Sequence, residues 1–179
     1  MIGNDIIDLS LAKTQSNWQR KGFLEKQFTL KEQKNIQESE NPFEMVWRLW
    51  SMKEAAYKIV VQQQQRRFFA PQKFECEIIS ETEGKVILEN QIFDTVTTTS
   101  RKYIYTSINK SEYQKVWKEE SINKEAMLLW IEKTLEISSA KIKKNAYGVP
   151  NIYNKSRRIS ESCTITHHGD YSGIKFTLT

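Results

Sequence analysis

The chain has 179 residues, with 27 Lys and Arg against 22 Asp and Glu and a formal charge of +5. That length suits one domain, or two small half-domains on a shared core, and needs no disulfide; Cys76 and Cys163 have no CxxC spacing and are expected as free thiols in a reduced, cytoplasmic setting. No apolar run approaches the roughly 20 residues of a membrane span, the start MIGNDIIDLSL lacks the marks of a signal peptide, and the positive charge points to an anionic partner: nucleic acid, polyphosphorylated cofactor or acidic protein.

In chain order, residues 2–9 (IGNDIIDL) read as a strand whose anomaly is its aspartates. A carboxylate at Asp5 is costly to desolvate unless a cation or hydrogen bonds compensate it, whereas Asp8 can face solvent. Thr29 and Glu32 have capping-box spacing and predict a helix over 29–39. Asn41-Pro42 starts a longer helix over 43–62, and the glutamines at 62–65 are expected to fray its end. Between Phe74 and Ile108, β-branched and aromatic runs separated by turn residues predict an antiparallel meander. Residues 122–137 predict an amphipathic helix with Met127, Leu128, Ile131 and Leu135 on one face, and 162–166 and 172–178 predict two last strands. The class is α+β, antiparallel sheets packed with helices.

The segment Trp50-Ser51-Met52-Lys53-Glu54-Ala55-Ala56-Tyr57-Lys58 holds the most chemistry. At about 100° per residue, Val46, Leu49, Met52, Ala56, Ile59 and Val60 share one helix face and Trp47, Trp50, Glu54 and Lys58 another. The second face can hold a metal through Glu54 while Lys58 meets a phosphate, or it can be a solvated face with a Glu-to-Lys pair contributing about 0.3 kcal/mol. Asp5 tips the reading toward metal, because Mg²⁺ needs only a few carboxylate oxygens and shares its other positions among waters and substrate phosphates. Mn²⁺ accepts the same oxygen-rich set. Near the other end, Thr164, Thr166 and His167, followed by Gly169, can present donors to a phosphate. His167 and His168 beside Cys163 and Asp170 also suggest zinc, but adjacent strand residues face opposite ways and no second cluster completes a tetrahedral set.

Gly3-Asn4-Asp5, the Thr29 helix start, the Trp50–Lys58 segment, Gly148-Val149-Pro150 and Thr164-Ile165-Thr166-His167 together resemble the ordered motifs of the 4′-phosphopantetheinyl transferase superfamily. The resemblance implies transfer of phosphopantetheine from coenzyme A to a serine of an acyl or peptidyl carrier protein, with release of 3′,5′-ADP. It implies that Asp5 and Glu54 bind Mg²⁺ and that Lys53 and Lys58 line the phosphate site. Thr166 and His167 would meet a coenzyme A phosphate, with Gly148 and Pro150 at the adenine end. Glu54, directly or through a metal-bound water, is the expected base.

The chain departs from that pattern at two places. Ile7 stands where one branch of the family has a further acidic residue, and Val149 stands where the glycine-x-proline motif usually has lysine. The motif order is that of the small trimeric holo-acyl-carrier-protein synthases, yet the chain is longer, and Phe69 to Phe74 followed by Tyr103 to Ile108 looks like the second half of the two-half branch. Residues 1–112 are therefore expected as a metal-binding half and 113–179 as a smaller half, together one catalytic unit. One chain then builds a whole site as a monomeric pseudo-dimer; otherwise His167 completes the site of a neighbour in a homo-oligomer. The rival readings are a degenerate family member acting as a scaffold, and a nucleic-acid-binding module using Tyr103, Tyr105, Arg101 and Lys102. Neither membrane nor nucleic acid is an expected partner.

Overall fold

The computed structural model describes residues 1–68, 70–118 and 124–179. Strand β1 (Gly3–Asp8) leads directly into helix α1 (Leu9–Gln15), because Asp8 caps it: Oδ1 accepts from the amides of Ser10 at 2.9 Å and Leu11 at 3.1 Å. Oδ2 accepts from the Asp170 amide, so Asp8 is buried and structural, not solvent-facing as its position in the strand suggested. Helices α2 (Phe23–Gln27) and α3 (Leu30–Glu38) follow, α3 with both bonds of its Thr29–Glu32 capping box. Helix α4 (Pro42–Gln64) starts on an Asn41 cap with proline in its first turn.

Strands β2 (Glu75–Ile78), β3 (Glu83–Leu88), β4 (Gln91–Thr99) and β5 (Tyr103–Ile108) form the expected meander, and β1 adds antiparallel to β5, giving the order β1-β5-β4-β3-β2. The face of α4 carrying Val46, Leu49, Met52, Ala56, Ile59 and Val60 is fully buried against this sheet. Trp47, which helical spacing puts beside Glu54 and Lys58, is buried as well, edge-on to Phe43. Strand and helix meet so closely at Gly3 that a Cβ there would fall 2.1 Å from the Ala55 carbonyl oxygen, and only glycine fits.

A second core gathers Ile131, Ala140, Ile152, Cys163, Ile174 and Phe176. It lies among β6 (Tyr113–Lys118), α5 (Lys124–Leu135), β7 (Ala140–Lys144), β8 (Pro150–Asn154), β9 (Arg157–Arg158), β10 (Ser160–His168) and β11 (Tyr171–Leu178), which make two three-stranded sheets, β10-β11-β6 and β7-β8-β9. In α5, Met127 and Ile131 point inward as expected; the predicted start at residues 122 and 123 and the motif residue Phe69 lie outside the described residues.

What joins β1 to β10 is a seam of side chains. Serine, threonine and histidine at 162, 164, 166 and 168 meet residues 2, 4, 6 and 8, a constant offset that sets the two strands parallel. Ser162 Oγ accepts from the Ile2 amide, Thr166 Oγ1 from the Ile6 amide and His168 Nδ1 from the Asp8 amide, at 3.2, 3.0 and 2.9 Å. From α4, Gln62 donates to the Ile2 carbonyl and Lys58 to that of Asn4, at 2.9 and 2.8 Å. The outer edge of β1 is thereby satisfied without another backbone strand pairing with it. Gln62 also accepts from Ser162 Oγ at 2.5 Å, so the end of α4 is tied down where fraying was expected. Lys175 on β11 adds a second tie: buried, it donates to Ser107 Oγ and to the carbonyls of Ile108 and Asn109.

Candidate active site

Beside the seam, β1, α4 and β10 converge on one carboxylate. Asp5 Oδ1 accepts from Thr166 Oγ1 at 2.9 Å and from Lys58 Nζ at 3.2 Å. Its other oxygen, Oδ2, is buried and among the described residues has no hydrogen-bond partner. Asn4 is locked in place by Thr164 Oγ1 donating to its Oδ1 and by its own amide donating to the Tyr105 hydroxyl. Glu54 lies one helical turn before Lys58, and among the described residues no donor reaches its carboxylate. Burial first, then the negative charge of Asp5, pushes Glu54 up from an ordinary 4.5 to about 7, with Lys58 opposing. A buried acceptor without a donor, and a neighbour whose ionisation is opposed, form a site short of positive charge.

Next to it opens a cleft of about 240 Å³ bounded by Tyr57, Lys58, Arg67, Tyr147, Gly148, Pro150 and Thr164. Lys58 bonds to Asn4 and Asp5 with two of its three hydrogens, and its side chain lines this cleft. Gly148 and Pro150 lie there too. At Gly148 φ is +81°, and a Cβ would strike the Arg67 guanidinium, whose Nε donates to the Tyr147 carbonyl at 2.7 Å. Arg67 thus brings a cation to the loop where Val149 offers none. Sequence reasoning passed over it as part of a short basic pair; the only signal was the missing lysine at 149. His167 is exposed, and partial burial, then the positive charges of Lys58 and Lys144, hold it below its ordinary 6.5. An anion here would meet several cationic or donor groups at once.

Three of the sequence-predicted phosphate contacts have their hydrogens committed within the protein. Lys53 is 3 % exposed and turned inward: its ammonium donates to Glu32 at 2.8 Å and to the carbonyls of Pro71 and Phe74 at 2.9 and 2.6 Å. Glu32, wholly buried, also accepts from the Cys76 amide, so the pair is a structural clamp. Thr166 is buried, with its single hydrogen on Asp5 and the Ile6 amide on its oxygen, and cannot also donate to a phosphate. Thr164 is likewise engaged with Asn4. Tyr105, one of the aromatics of the nucleic-acid reading, is buried with its hydroxyl against Asn4.

Among the described residues no group of three or more His, Cys, Asp or Glu forms a metal-holding cluster. The Asp5–Glu54 pair does fit a hard divalent cation: the donors are oxygen, one is orphaned, and waters and phosphate oxygens can fill the other positions. No helix among the described residues is long and apolar enough to cross a membrane.

The chain is thus α+β with antiparallel sheets, and it brings Asp5 and Glu54 near Lys58, which lines the cleft. A family model described as the 4′-phosphopantetheinyl transferase superfamily matches residues 1–117, and the chain belongs to that superfamily. No curated protein matches the chain. The family match covers Asp5, Glu54 and Lys58 and stops before the Gly148-Val149-Pro150 and Thr164–His167 motifs.

Proposed function

We propose that the protein transfers the 4′-phosphopantetheine of coenzyme A to the serine hydroxyl of an apo acyl or peptidyl carrier protein, with 3′,5′-ADP as the leaving product. The observation that carries the reading is Asp5 Oδ2, buried and among the described residues without a partner, close enough to Glu54 to oppose its ionisation, with Lys58 reaching from Asp5 Oδ1 to the cleft it lines. Asp5 and Glu54 would hold the divalent cation, Mg²⁺ or Mn²⁺, which when bound neutralises charge on the pyrophosphate. Lys58 adds its free donor to the same phosphates. In the transfer a bond forms between the serine oxygen and the β-phosphorus, and the bond to the bridging oxygen breaks, its electrons leaving with 3′,5′-ADP. Of the two carboxylates, Glu54 is assigned the serine proton, because Asp5 Oδ1 already carries two donors and Oδ2 is the oxygen left for the cation. His167, which feels the charges of Lys58 and Asp5, is assigned a contact with a coenzyme A phosphate. Arg67, just past the end of α4 and donating to the Tyr147 carbonyl, is assigned to the adenine end with Gly148 and Pro150.

A single chain supplies Asp5, Glu54, Lys58 and the β10 seam, which favours a self-contained site made from residues 1–112 and 113–179 over one completed by a neighbouring subunit. Carrier proteins with an acidic recognition helix suit the positive surface.

Intact mass spectrometry of apo carrier proteins incubated with the protein, coenzyme A and Mg²⁺ tests the reading. A gain of one phosphopantetheine, abolished by EDTA, is expected. No gain on fatty-acid, polyketide or nonribosomal-peptide carriers by folded protein would replace it with the scaffold reading. His167→Ala is expected to raise KM for coenzyme A about 10-fold or more through loss of one bond to a charged phosphate, with kcat little changed. Steady-state kinetics with varied coenzyme A reads this directly.

A further inference from the structure

We propose that Thr166 is a positioning residue that decides which Asp5 oxygen is offered to a divalent cation, so that cation affinity is set from the C-terminal seam. The inference rests on the reading that Asp5 and Glu54 hold that cation. A threonine hydroxyl has one hydrogen, and the amide it accepts from settles where that hydrogen turns. Here the Ile6 amide lies 3.0 Å from Thr166 Oγ1, and the hydrogen goes to Asp5 Oδ1 at 2.9 Å. Lys58 arrives at the same oxygen at 3.2 Å. Oδ1 therefore has two donors while Oδ2, buried in the same carboxylate, has none among the described residues.

The two oxygens are chemically equal until these bonds distinguish them, and an aspartate χ2 is a broad torsion that readily exchanges them. Thr166 prevents that exchange because it is itself rigid: it is 3 % exposed and held by backbone on a strand of nine residues. An oxygen already bonded to two donors is a poor cation ligand, so the bonds to Oδ1 leave Oδ2 as the one available. Asp5 and Thr166 are 161 residues apart, and Thr166 lies beyond residue 117, where the family match ends. A residue of the C-terminal segment thereby orients a carboxylate near the N-terminus.

The experiment is Mn²⁺ binding to the full chain, read from the electron paramagnetic resonance signal of free ion, for the wild type, Thr166→Val, Thr166→Ser and Ser162→Ala. Thr166→Val is expected to weaken binding about 10- to 100-fold, the usual effect of losing an outer partner of a ligand. Thr166→Ser, which keeps the hydroxyl, should restore it. Ser162→Ala deletes an equivalent seam hydroxyl, bonded to the Ile2 amide at 3.2 Å but not to Asp5, and should leave affinity unchanged. Equal affinity in folded Thr166→Val and wild type overturns the inference. So does equal weakening in Ser162→Ala, since general damage to the seam would then suffice. If Thr166→Val does not fold, Thr166→Cys, close in size and a weak donor, takes its place. A wild type that binds no Mn²⁺ would instead overturn the cation reading itself, before any substitution is made.

Discussion

Glu54→Gln is expected to keep the fold and lose on the order of 100-fold or more in turnover, because an amide oxygen replaces neither the carboxylate charge at the cation nor the acceptor for the serine proton. The same variant has an opposite signature in stability. Glu54 is raised in the folded state from 4.5 to about 7, so the protonated form contributes stability that is present below pH 4.5 and is lost as pH rises through 7. With chelator present, the wild type should lose up to about 3 kcal/mol across that window. Glu54→Gln, which has nothing to ionise, should not, and above pH 7 it should be the more stable protein. Mg²⁺ should recover part of the loss in the wild type alone. Denaturant melts at pH 4.5 and pH 8, with and without chelator, read these slopes. A variant with near-normal rates, or with the wild-type pH slope, would remove Glu54 from the site.

Lys53→Met is expected to destabilise the protein by about 3–5 kcal/mol, with a fall in Tm on the order of 10 °C, and to leave KM for coenzyme A unchanged in whatever folded protein remains. The ammonium is 3 % exposed and takes three acceptors, Glu32 and the carbonyls of Pro71 and Phe74. Its removal strands a carboxylate with no exposure. Part of the cost is relieved by the Thr29 and Cys76 amides, which still donate to Glu32 at 2.7 Å each. An unchanged Tm with a raised KM would return Lys53 to the phosphate site. Lys53 and Lys58 thus separate two roles that a motif places side by side: α4 turns the first toward α3 and the second toward β1.

The features legible in the sequence were those with local causes. Thr29 with Glu32, and Asn41 before Pro42, started α3 and α4 where expected, since capping is decided within four residues. Alternating runs between Phe74 and Ile108 marked the meander, and Asp5 stood out as a carboxylate in an apolar strand. Strands β6, β7 and β8, with sequences YQKVWK, AKIKK and PNIYN, show no clean alternation, because each has exposed or half-exposed residues on both faces. Asp8 is different. Its capping of α1 was a local signal available two residues away, hidden by reading the segment only as strand.

The sequence by itself determined the α+β class, the main helices and the meander, and singled out Asp5 as a carboxylate in an apolar strand, because caps, periodicity and a misplaced charge all act over a few residues. Only the tertiary structure decided that Lys53 faces Glu32, that Arg67 rests on the Gly148 turn and that Thr166 bonds to Asp5. Those choices depend on which segments meet. A hydroxyl or ammonium will bond to a phosphate as readily as to a buried carboxylate, and the contact that forms between residues 161 apart is set by how β10 docks along β1.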